Sequence, residues 1–132
     1  MWPIFSMQLG VSVMEHVKRF KFKKINRIKS KKSFQTVYVN GHSVVDALSI
    51  IYVMRNQNEH VKIGLAVGKK LGNAVLRNRV KRLMREVFRK RKSEIKQGSY
   101  LIWVARKKLI SADYNTYDRV FMRLIKRAGL AN

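Results

Sequence analysis

Arg77, Lys81, Arg85 and Arg89 succeed one another at intervals of four residues, and the chemistry open to such a row is the capture of phosphate. Each like-charged pair at that spacing costs a bare helix roughly 0.2–0.5 kcal/mol, so stability alone does not select the row. Arg79 and Arg82 add to it, and Glu86 is the only acid from Asn73 to Arg89. Cations in a first helical turn also oppose the positive end of the helix dipole. An anion lying along this stretch relieves both penalties.

Catalytic chemistry is poorly supplied by comparison. A protein nuclease needs a general base, a proton donor and, as a rule, carboxylates that hold Mg²⁺. His16, His42 and His60 fall on a tail and two turns, where histidines are ordinarily solvated. Asp113 suits a helix cap, and Asp118 follows it near the start of the last helix. The serines lack a neighbouring His and Asp in any known arrangement, and Gly64–Gly72 matches neither common phosphate loop. The reading is therefore no catalytic residue and no metal site in this chain. Phe34 and Tyr38, one helical turn apart, and Ile50 and Tyr52, on one face of a strand, have the spacing of a groove for unstacked bases. Pattern alone favours core packing for these four.

The elements that must position these groups follow from periodicity. Ser30 caps a short helix carrying Phe34, Val37 and Tyr38, which Asn40-Gly41 ends in a left-handed turn. Val44-Val45 suggests a short strand. Leu48–Met54 and Val61–Val67 read as two longer strands joined as a hairpin through Arg55-Asn56-Gln57-Asn58-Glu59. A tight basic connector, Gly68–Asn73, holds Lys69 and Lys70 and leads into the basic helix, capped by Asn73 and running to about Lys92. At about 100° per residue Leu76, Val80, Leu83, Met84, Val87 and Phe88 share one arc of it. Arg77, Lys81, Arg82, Arg85 and Arg89 are assigned to the arc opposite. Tyr100–Ala105 is a buried strand, expected inside the sheet. Tyr117, Val120, Phe121, Leu124, Ile125 and Ala128 mark a final helix that stops at Gly129. Layer rules turn this order, α-β-β-β-α-β-α, into an α/β (α+β) two-layer sandwich, a mixed sheet of about four strands with three helices.

The chain has 132 residues, with 30 Lys and Arg against 7 acids and a net charge of +23. That balance implies a polyanionic partner, and nucleic acid fits it best. With no cysteine, disulfides and thiol chemistry are excluded and a reducing cytoplasm is the natural setting. No stretch approaches the roughly 18 apolar residues of a membrane span, and no membrane partner is expected. The apolar Met1–Met14 segment is not a secretory signal, because its basic residues follow rather than precede it. Residues 1–23 are expected to be a disordered tail or an overlong reading of the start, with the working chain beginning near Met14. Nine of the fifteen residues from Lys18 to Lys32 are Lys or Arg, which predicts an extended basic tether. Residues 24–132 are read as one domain.

The run Gly64-Leu65-Ala66-Val67-Gly68-Lys69-Lys70-Leu71-Gly72-Asn73-Ala74-Val75-Leu76-Arg77-Asn78-Arg79-Val80-Lys81-Arg82 closely resembles the "RNR" signature of the bacterial ribonuclease P protein family. The likeness extends over about residues 24 to 128, including Asn26-Arg27-Ile28, Phe34-Gln35-Thr36-Val37-Tyr38 and Tyr100 to Lys107, and only the front end departs from it. The resemblance implies a non-catalytic protein that assists a catalytic RNA in hydrolysing the 5′ leader from precursor tRNA. It implies a strand-helix-strand crossover that is left-handed, against the usual rule. It further implies contacts to the RNA subunit from Lys69, Lys70, Arg77, Asn78, Arg79, Lys81, Arg82, Arg85 and Arg89. Phe34, Tyr38, Ile50 and Tyr52 match family positions lining a cleft for the leader, with Arg106 and Lys107 at its phosphates, so the resemblance favours a cleft over a core. Mg²⁺ is expected in the holoenzyme, held mainly by the RNA, with one protein per RNA and the pairing of holoenzymes left open. The alternatives are a structural RNA-binding protein such as a ribosomal one, a self-sufficient endonuclease, and a membrane-surface helix.

Overall fold

The computed structural model describes residues 26–55 and 60–132. The expected N-terminal tail, the first part of the basic arm and residues 56–59 of the expected hairpin turn lie outside them.

Among the described residues three α-helices and four strands form: α1 (Lys31–Asn40), β1 (His42–Val45), β2 (Ser49–Arg55), β3 (Lys62–Ala66), α2 (Ala74–Arg91), β4 (Ser99–Ala105) and α3 (Tyr114–Arg127). The sheet order is β1-β2-β4-β3, antiparallel except for the parallel β3/β4 pair. The expected hairpin between β2 and β3 is therefore wrong, because β4 lies between them. Leu101, Ile102 and Trp103 are all fully buried, so this strand needs cover on both faces and neighbours on both edges. The hairpin is instead β1–β2, where the Asp46 amide donates to the Ser49 carbonyl and its carboxylate accepts from the Leu48 amide at 3.1 Å.

Alternation along the strands divides the core into two. Ile51, Val53, Leu101, Trp103, Ile63 and Leu65 face α2 and α3, meeting Val80, Met84, Val87, Phe88, Tyr117, Phe121 and Leu124. The Trp103 and Phe121 rings lie 4.6 Å apart, and the indole N–H donates to Ser49 Oγ at 2.9 Å, so both buried polar groups are satisfied. The opposite face carries Ile102, Tyr52, Met54, Ala66 and Val104, over which α1 lays Val37.

The helix ends follow from their caps. Ser30 Oγ accepts from the Ser33 amide, Asn73 Oδ1 from Leu76 and Asp113 Oδ1 from Thr116. Gly41 departs from expectation: it is extended (φ −87°, ψ 177°) rather than left-handed. Glycine is needed there for space, since a Cβ would stand 2.5 Å from the Val53 carbonyl oxygen and 2.6 Å from that of Val37.

The basic arm is also not a free tether throughout. From Asn26 it is docked on β3: the Ile28 amide donates to the Ile63 carbonyl at 3.1 Å, and the Asn26 side-chain amide to the Val61 carbonyl at 2.8 Å. Ile28 is buried with Val37 and Ile102. Burying an aliphatic side chain of this size is worth roughly 1.5–3 kcal/mol, enough to hold a short segment against its own charge.

Candidate nucleic-acid interface

Register places two rows of side chains on the α1 face of the sheet. The first runs Gly64–Ile102–Tyr52 across β3, β4 and β2. Helix α1 lies along it, with the Phe34 ring directly over Gly64, Val37 on Ile102, and Tyr38 edge-on to Tyr52 at 4.8 Å. A Cβ on Gly64 would fall 2.4 Å from Phe34 Cζ, so the missing side chain is what seats the ring. The second row, Ala66–Val104–Ile50–Val45, crosses all four strands beside the helix and is only partly covered. At the usual strand spacing it is about 14 Å long. It ends at Val45, 49% exposed on the sheet edge.

Between α1, β3 and the start of α2 lies a cavity of about 470 Å³, lined by Phe34 and Tyr38 on one side and by Arg77, Lys81 and Lys69 on the other. Lys29 and Lys31 complete its rim. Two groups of residues that the sequence suggests for separate RNA contacts thus share one cleft. Ile50 and Tyr52 adjoin it on the same face. Tyr38 is 37% exposed and Phe34, Ile50 and Tyr52 are half-buried, with Phe34 and Tyr38 lining the cleft and Phe34 and Tyr52 also packed against the core.

The cationic row needs correction. Arg77, Lys81 and Arg85 do not point opposite the apolar arc but flank it, half-buried, along the seam between α2 and the docked N-terminal segment. The arc that is buried is narrower than the sequence suggests, Val80, Met84, Val87 and Phe88, with Leu76 and Leu83 on its other flank. Arg77 Nε donates to the Gly72 carbonyl at 3.1 Å, tying the helix start to the connector. Burial, then the charges of Arg27 and Arg82, pulls the Arg85 guanidinium down to about 10. Lys81 is lowered by burial and by Arg85 and Arg77, and Arg27 by burial. A guanidinium keeps its proton at neutral pH, so these shifts express the cost of crowding positive charge in a partly desolvated seam.

Lys69 and Lys70 stand exposed on a 3-10 turn, and Asn78, Arg79 and Arg82 are exposed on the outer side of α2. Arg89 is drawn aside, since its guanidinium pairs with Glu86 one turn earlier. Arg106 follows β4 directly at the end of the second row, its Nη1 donating to the Asp46 carbonyl at 3.1 Å, and Lys107 is exposed beside it. Arg27, Lys29 and Lys31 are the contributors that sequence reasoning missed. Their alternation about buried Ile28, inside what looked like an unstructured basic run, is the available signal.

The acids are disposed to leave the cleft positive. Among the described residues, Asp46 is bound by Arg123 at 3.0 Å, Glu86 by Arg89, and Glu94 and Asp118 by Arg91 at 2.9 and 2.7 Å, while Asp113 caps α3. The Arg91 guanidinium holds the Asp118 carboxyl below the usual carboxylate range. No group of three or more potential metal-ligating side chains is present among the described residues, and none of their helices is long and apolar enough to cross a membrane. The arrangement can hold a phosphodiester chain while apolar surfaces receive its bases.

A family model described as Ribonuclease P matches residues 22–129. The ribonuclease P protein component of a Thermoanaerobacter species is 41% identical over 108 residues, 82% of this chain and 93% of the relative. That of Alkaliphilus oremlandii is 36% identical over 110 residues, 83% and 96% of the two chains. Among solved structures, the Staphylococcus aureus RNase P protein superposes with a TM-score of 0.75 at 36% identity, covering 81% of this chain and 98% of that one. The Thermotoga maritima RNase P protein gives 0.72 at 28% identity, covering 76% and 96%.

Proposed function

The chain belongs to the ribonuclease P protein family, and on that premise we propose that it binds the catalytic RNA subunit of ribonuclease P together with the 5′ leader of precursor tRNA. The observation that carries this reading is the cleft: an aromatic wall, an apolar floor and a rim of cations from which the described carboxylates are turned away. Such a surface suits single-stranded RNA, whose bases seek π-faces and whose phosphates seek cations. The exposed outer side of α2, the Lys69-Lys70 turn and Arg77, where the cleft meets α2, serve the RNA subunit.

The division of labour is that the RNA holds Mg²⁺ and the scissile bond while the protein screens phosphate repulsion and retains the leader. The described carboxylates are engaged with arginines or a helix cap, so they do not fit a Mg²⁺ site of this chain's own. By supplying fixed cations the protein lowers the Mg²⁺ concentration at which the holoenzyme works.

Arg77→Ala is the direct probe of assembly. Binding to the RNA subunit weakens, and the slope of log affinity against log salt flattens by about one unit for one lost phosphate contact. A slope identical to that of the unaltered protein would mean that Arg77 touches no phosphate and serves only to tie the helix start to the connector.

A further inference from the structure

At the opposite end of the sheet a second hollow, about 720 Å³, opens among residues that neither the cleft nor the signature helix uses. Arg55 and Ser99 form the last pair of the β2/β4 ladder there, about 17 Å along β4 from the Val104–Ile50 row. Its walls come from four separate parts of the chain and are fastened together. Asn26, itself buried, donates to the Val61 carbonyl at 2.8 Å and accepts from Lys92 Nζ at 3.3 Å. The Asn132 side-chain amide donates to the carbonyls of Ser93 and Ile95 at 3.0 and 3.4 Å, and the Lys96 amide donates to the Leu130 carbonyl at 2.7 Å. Val61 and Ile95 are buried beneath.

Arg55, Lys92 and Lys96 line this hollow with His60, and none of the described side chains that line it is acidic. The neighbouring Glu94 is already held by Arg91 at 2.9 Å. Among the described residues no aromatic side chain lines it, which separates it chemically from the cleft. We propose that this hollow is a second phosphodiester site, one that grips the backbone of structured RNA and does not read bases.

Arg55 and Lys96 bring exposed cations to the rim of a walled hollow beside Lys92, and the neutral donors of Ser93 and Gln97 can complete the contacts to phosphate oxygens. Without a stacking platform, unpaired bases gain nothing there, so the ligand is backbone, recognised irrespective of sequence. The inference rests on the proposed RNA-binding function and adds a contact distinct from the leader and from α2.

The test uses the full chain carrying Arg55→Gln and Lys96→Gln. Both side chains are exposed, and the hydrogen bond recorded for the Arg55 side chain is a long one to the Gln97 carbonyl at 3.5 Å, so the melting temperature is expected to hold. Binding to the RNA subunit is measured across a range of salt, beside Arg77→Ala, and the holoenzyme is assayed for precursor and for mature tRNA. The expected result is a slope lower by about two units with the preference for precursor over mature tRNA intact. Arg55→Lys with Lys96→Arg restores the slope. If the slope holds but the holoenzyme binds precursor and mature tRNA equally more weakly, the site stands and its phosphates belong to the tRNA body. If neither binding changes while Arg77→Ala flattens its slope, the hollow is not an RNA site and the proposed function survives. If Arg77→Ala is silent as well, both readings fall.

Discussion

Replacing Phe34 and Tyr38 together by alanine is expected to remove most of the holoenzyme's preference for leader-bearing precursor over mature tRNA. A base stacked on an aromatic ring is worth roughly 1–3 kcal/mol, so the loss of two platforms lowers precursor affinity by at least about tenfold. Mature tRNA, which has no leader, binds as before. The two residues also contribute to packing, so Tyr38→Ala alone, at a ring already 37% exposed, provides the variant whose fold is least in question. Its effect has the same direction and a smaller size. Equal losses for precursor and mature tRNA, or unfolding of the Tyr38 variant, would return these rings to the core.

Gly64→Ala makes the complementary change, adding one carbon beneath a ring instead of deleting the ring. The backbone of Gly64 is not in the left-handed region, and alanine in a strand is ordinarily better than glycine by roughly 0.5–1 kcal/mol. Here the new Cβ would stand 2.4 Å from Phe34 Cζ, so the ring must lift or α1 must shift. Overpacking of this kind costs roughly 1–3 kcal/mol, and the displaced ring no longer backs the cleft. The melting temperature is expected to fall and precursor preference to fall with it, while RNA-subunit binding holds. A rise in melting temperature would mean that Phe34 does not rest on Gly64.

Much of this was legible in the residues because it is local. The α3 stripe from Tyr117 to Ile125 and the Ser30, Asn73 and Asp113 caps depend on neighbours within one or two turns, and they form where periodicity puts them. Strand order is not local. Alternation marks β2 and β3 as strands but carries no information about β4 arriving between them, after an 18-residue helix, to find its buried place. The orientation of the cationic row failed for a local reason: at about 100° per residue Arg77 falls between Met84 and Phe88, with Lys81 and Arg85 just beyond Phe88, so the row borders the apolar arc on the wheel itself. What the wheel does not show is the N-terminal segment docked on β3, which this side of the helix faces. That docking hangs on Asn26 and Ile28, two uncharged residues in a run whose composition reads as disordered. The spacing that pairs Phe34 with Tyr38 and Ile50 with Tyr52 was legible, though pattern alone favoured core for them, and the seat of the Phe34 ring depends on Gly64, which no spacing rule singles out.

The most direct test of the account is cleavage of precursor tRNA at low Mg²⁺ by three preparations: the RNA subunit alone, this protein alone and the two combined. Efficient leader removal is expected only from the combination, with the RNA recovering activity unaided as Mg²⁺ is raised. Cleavage by the protein free of RNA, or no gain when it joins the RNA subunit, would contradict it.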